Sequence, residues 1–167
     1  MLFFKKVVRR KKTKSARIKK LNKKHMPNKT AITIETTVHA PLEKVWEFWT
    51  TPHHIMQWNN ASDDWYTPRA ENDLKVGGQF LYRMQASSGM TGFDFVGTYD
   101  EVEKNSVIAY TMGDGRKAKI TFSKIQDNET KIVETFETEN ANSIELQRSG
   151  WQAILDNFKK YTEENNL

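Results

Sequence analysis

Cysteine is absent from the sequence, which removes disulfides, thiol nucleophiles, haem thioethers and thiolate zinc sites together. Its absence suits a reducing compartment, so a cytoplasmic location is the expectation. No apolar run approaches the roughly 20 residues of a membrane-crossing helix, and a soluble chain without a membrane span is expected. Metal motifs are missing too. The histidines are His25, His39, His53 and His54, none in an HExxH arrangement, and adjacent side chains such as His53 and His54 diverge on any regular element, which predicts exposed, solvated rings. Asp63, Asp64, Glu71 and Asp73 lack calcium-loop spacing. There is no phosphate-binding glycine loop and no serine in a nucleophile elbow. The sequence therefore calls for no metal, no cofactor and no ordinary catalytic constellation.

What is present divides sharply by charge. Of the 26 Lys and Arg, twelve lie in residues 1–25, where there is no acid; the other fourteen face all 21 Asp and Glu, a net of −7. The net charge of +5 is thus an average over a basic leader, residues 1–29, and an acidic domain, residues 30–164. A basic arm gains affinity for nucleic acid or anionic membrane by releasing counterions, and its lack of acids is also transit-peptide-like. Nothing in it packs a core, however, and Met26 stands directly before the domain pattern. An unstructured extension, with Met26 as an alternative start, is the expectation. No nucleic-acid partner is expected for the domain.

Within the domain, the longest signal is the last. From Asn142 to Glu164, apolar Trp151, Ile154, Leu155, Phe158 and Tyr161 recur at three-and-four spacing, which predicts one helix with a buried stripe, Asn142 capping it and Glu145 in its first turn. Some 20 residues at about 1.5 Å each cross a small domain. Its partner must be broad. Residues 31–38 alternate as a strand, Pro41 opens a short helix containing Leu42, Val45, Trp46 and Trp49, and HHIMQW forms a second turn. Residues 59–74 read as a polar loop. Strands then follow at QFLYRMQA, FDFVGTYDEV, the segment holding Ile108, Tyr110 and Met112, KAKITFSKI and KIVETFETE, with Gly113-Asp114-Gly115 a tight turn. Gly97 inside a strand predicts a bulge or close backbone approach. The sum is an α+β domain: a long helix on a curved antiparallel sheet of six to seven strands, with one or two short helices after the first strand.

The inward rows of that sheet are Phe80/Tyr82/Met84, Ile108/Tyr110/Met112, Ala118/Ile120/Phe122 and Ile132/Glu134/Phe136. Rings and methionines outnumber branched aliphatics in the first two, which suits a wall for an apolar guest as well as an ordinary aromatic core. Trp58 and Trp65, with Tyr66, are placed to close the mouth of such a space. Glu134 falls on the buried side, where an unpaired carboxylate is costly or holds its proton. A bulge that turns it outward, a structural pair with Arg69 or Arg83, a polar anchor for a guest and an acid or base in catalysis all remain open readings. Gly150, which costs a helix about 1 kcal/mol relative to alanine, indicates either close packing on a strand or room beside Trp151.

The segments APLEKVWEFWTTPHHIMQWN, LKVGGQFLYRM, FDFVGTYDEVE, IAYTMGDGRKAKITF, TKIVETFE and GWQAILDNFKKY, in that order, resemble the START-like superfamily of polyketide cyclases and lipid-transport proteins. Within it the chain is most similar to bacterial proteins that resemble the C-terminal domain of the activator of heat-shock protein 90 ATPase. The resemblance spans about Thr30 to Glu164 and implies a helix-grip fold with a cavity between sheet and helix. It implies a cavity lining of Phe80, Tyr82, Tyr110, Phe122, Phe136 and Trp151, and an apolar small molecule or lipid, or a chaperone, as partner. The full set of expected ligand contacts adds Trp58, Trp65, Met84, Met112, Glu134 and Leu155 to these, with Glu134 as the one candidate for catalysis and Glu134 or Arg83 orienting the guest's polar end. The function expected is a small binding protein; the rivals are a cyclase- or hydrolase-like enzyme using Glu134 and a co-chaperone domain.

Overall fold

The structure, a computed structural model, describes residues 30–166. The basic leader and its expected lack of structure lie outside the described residues. Seven strands form one antiparallel sheet in the order β1-β7-β6-β5-β4-β3-β2: β1 (Ala31–Val38), β2 (Trp65–Asn72), β3 (Gln79–Ala86), β4 (Gly92–Glu103), β5 (Val107–Met112), β6 (Lys117–Gln126) and β7 (Glu129–Glu137). Every neighbour from β2 to β7 is joined by a short turn, and only β1 crosses to the far edge, beside β7. Two short helices, α1 (Leu42–Thr50) and α2 (Pro52–Trp58), follow β1, and the long α3 (Ile144–Asn165) closes the chain. The sheet curls around α3 as a helix grip.

The alternation that predicts the strands also predicts their buried face. On β7, Thr130, Ile132, Glu134 and Phe136 are all buried, and their partners on β6 include Ile120 opposite Glu134 and Ala118 opposite Phe136. Gly97 pairs with Phe80, and a Cβ there would stand 2.5 Å from the Phe80 ring, so this glycine lets the ring lie across β4.

Three expectations are corrected. Residues 65–72, expected to be part of a polar loop, form β2; Pro68, which cannot donate to a ladder, is tolerated because β2 is an edge strand with its register broken between Tyr66 and Arg69. Ser143, not Asn142, caps α3, its hydroxyl accepting from the Leu146 amide at 3.1 Å, while Glu139 accepts from the Asn142 backbone and side chain. His54 is not a solvated ring: it stacks on Phe48 at 4.0 Å, and its Nδ1 lies 2.7 Å from the Tyr161 hydroxyl, tying α2 to α3. Burial, with His53 beside it, lowers the His54 pKa.

Candidate functional site: a ring-lined cavity under the terminal helix

The backbone of α3 runs close against β1, with α1 and α2 beside it. Over β3, β4 and β5 it leaves a cavity of about 250 Å³. Nine of its sixteen lining residues are aromatic, among them Trp49 from α1, Trp58 from α2, Phe80 and Tyr82 from β3, and Tyr110 from β5. Trp151 and Ile154 form the roof. Rings pack edge to face at the bottom, Phe80 against Tyr110 at 4.9 Å. Trp151 is held flat on Phe136 at 4.0 Å and 9°, which fixes the roof over the small Ala118–Phe136 pair.

Most polar groups in the walls are already engaged. The Tyr99 hydroxyl donates to Asn72 at 2.6 Å, and Asn72 donates to the Thr50 carbonyl at 2.6 Å. Burial raises Tyr99 to about 12 and Tyr82 well above the ordinary phenol value. Trp58 Nε1 donates to the Phe48 carbonyl at 3.0 Å, and the buried Asn59 amide reaches Met84 Sδ at 3.2 Å. Arg116, in the turn immediately before β6, donates through Nε to Asp114 at 2.7 Å and through a terminal nitrogen to the Glu137 carbonyl at 3.3 Å.

Glu134 differs from all of these. It is 6% exposed and lines the cavity, yet among the described residues no hydrogen bond or ion pair engages its carboxyl. Burial alone pushes its pKa from 4.5 to about 8, so the group is mostly protonated at neutral pH. Neither expected partner is there: Arg69 pairs with Glu71, and Arg83 is 3.3 Å from Asp94 on the other face of the sheet. The cation that does line the cavity, Arg116, sits in a turn whose path no periodicity predicts.

Of the residues expected to contact a guest, the structure brings Trp58, Phe80, Tyr82, Met84, Tyr110, Glu134 and Trp151 around the cavity. Five others lie elsewhere. Phe136 is behind Trp151, Phe122 packs edge-on against Trp46 and Trp49 at 5.3 and 5.5 Å, Met112 and Leu155 are core, and Trp65 stands 6.0 Å from Phe93, whose own ring lines the space. Phe95 and Tyr99 on β4 and Trp49 and Ile154 on the helices also line the space; which side chains meet across the gap depends on the sheet's curvature, which neither strand alternation nor helix spacing gives. Gly150 does not pack closely: a Cβ there would meet nothing within 4 Å. Among the described residues no three His, Cys, Asp or Glu group to hold a metal ion, and no helix is long and apolar enough to cross a membrane.

Comparison with known proteins agrees with this architecture. An AHSA1-like protein from Aeromonas hydrophila is 41% identical, covering 81% of this chain and 93% of its own, with a TM-score of 0.76. Chr148 from Cytophaga hutchinsonii is 54% identical over 83% of this chain and 94% of its own, with a TM-score of 0.70. The protein CV1439 from Chromobacterium violaceum, 21% identical over 80% of this chain and 98% of its own with a TM-score of 0.72, shares the fold. No match is found among curated proteins. The family profile described as Activator of Hsp90 ATPase homolog 1-like protein matches residues 39–163, and the chain belongs to that family, within the helix-grip superfamily of START-like proteins.

Proposed function

We propose that the protein is a binding module that holds a small apolar or aromatic molecule, or a lipid, in the cavity under α3. Trp58, Phe80, Tyr82, Met84, Tyr110 and Trp151 form the walls in this reading, and Glu134 meets the polar part of the guest. The observation that carries it is a ring-walled space containing one buried carboxyl that no protein group satisfies. Helix-grip relatives commonly bind hydrophobic ligands, which supports the same reading. Affinity draws on apolar burial at about 25 cal/mol per Å², less the costs of ordering the guest. A thermal-shift screen against lipids and aromatic compounds tests it: some members raise the melting temperature, and Ile154→Trp, which fills the space from the roof, removes the response. A flat response to every compound contradicts the reading.

The carboxyl of Glu134, poised near neutral pH, favours proton transfer on a bound cyclic substrate as a second reading. In that case Glu134→Gln abolishes turnover with affinity nearly unchanged. The family's name suggests a chaperone partner, which a pull-down with the bacterial chaperone at low and high salt tests directly.

A further inference from the structure

The electrostatics of the cavity identify the kind of guest more narrowly. Aromatic rings present electron-rich faces, which attract cations and not anions. Of the two ionisable side chains of opposite sign on its walls, Arg116 is committed to Asp114 and to the Glu137 carbonyl, while Glu134 is committed to nothing. The other titratable groups near Glu134 are phenols: Tyr110 on β5, whose own ionisation Glu134 opposes, and Tyr82 and Tyr99 on β3 and β4. From β6, β1 and α3 the neighbours are Ile120, Ile34, Trp151 and Ile154, which carry no charge. An uncharged hydrocarbon would leave the carboxyl unsatisfied, and an anion would face both it and the rings.

We propose that the cavity takes an organic ammonium ion on an apolar or aromatic body, its charged head paired with the Glu134 carboxylate and enclosed by the surrounding rings. This rests on the binding-module reading and narrows it. Binding then requires Glu134 to ionise, so it expels about one proton per guest at neutral pH.

The test uses matched probes: trimethylammonium compounds on benzyl, naphthylmethyl and hexyl bodies, against isosteres in which a quaternary carbon replaces nitrogen. Affinities are read from tryptophan fluorescence and amide chemical shifts between pH 6 and 9. The cation is expected to bind more tightly than its isostere by about tenfold or more at pH 8.5. Its affinity rises about tenfold from pH 6 to 7 and levels off above the Glu134 midpoint of about 8. Glu134→Gln, whose fold the same amide spectra verify, loses the pH dependence and most of the preference, keeping only the part that the rings supply, and still binds the isostere. If isosteres bind as well as cations, or if affinity falls as Glu134 ionises, the ammonium proposal is overturned and the cavity reading stands. If no probe of either kind perturbs the cavity residues, both are overturned.

Discussion

Under α3, strands β1, β6 and β7 present Ile32, Ile34, Ile120, Ile132 and Phe136, none more than 3% exposed, and Leu155 of the helix joins them in one core cluster. Strands β3, β4 and β5 present Phe80, Tyr82, Phe95, Tyr99 and Tyr110 to the same helix, and there a space remains. Branched aliphatic side chains interlock in defined rotamers and fill a gap. Rigid rings lean on one another at 5 to 6 Å between centroids, as Phe80 does on Tyr82, Phe95 and Tyr99, and prop the wall open. One half of the sheet holds the fold together and the other holds the hollow. Glu134 lies on the boundary, on a strand of the packed half but facing the open one.

Truncation separates the halves most strongly. Ile132→Ala, on β7 in the packed half and with no exposure, should cost about 2–5 kcal/mol in chemical denaturation. Phe95→Ala, on the cavity wall, should cost about 1–2 kcal/mol, because its ring borders empty space on one side. Equal costs would mean that the two halves are packed alike.

The next effect belongs to the boundary. The folded protein holds the Glu134 proton up to about pH 8, whereas the unfolded chain releases it near 4.5, so the folded state binds more protons between those values and loses stability as pH rises through them. Glu134→Gln has no such loss. The gap between variant and wild type should therefore widen by about 1.4 kcal/mol per pH unit, reaching about 3 kcal/mol at pH 7 relative to pH 4.5. Denaturation midpoints at pH 4.5, 6, 7 and 9 measure it, and a gap that does not change with pH would place the carboxyl in water.

The smallest effect sharpens the roof. Gly150→Ala meets no atom within 4 Å and removes a helix-destabilising glycine, so it should stabilise by about 1 kcal/mol, read as a higher melting temperature. Destabilisation would show that α3 sits closer to the sheet than described.

How far the residues alone foretell this follows the same division. Alternation with a period of two puts Glu134 on the buried face without any knowledge of tertiary contacts, and spacing along α3 finds Trp151, Leu155 and Phe158. Alternation says which face a residue takes but not whether that face is filled, so Phe122 and Phe136 read as cavity wall although they pack under Trp49 and Trp151. Strand β2 is hidden by Pro68 and by its charged, weakly alternating sequence, which only an edge tolerates. Arg116 is hidden for a different reason: its approach to the cavity is set by the turn between β5 and β6, where Met112 accepts from Gly115 and donates to the carbonyl of Arg116.

The most direct measurement is the titration of the Glu134 side-chain carboxyl carbon by NMR in the ligand-free protein. A buried carboxyl with no partner at the edge of a ring-lined hollow titrates with a midpoint near 8. A midpoint at the ordinary glutamate value of about 4.5 would mean that Glu134 is solvated or paired, and would contradict the account.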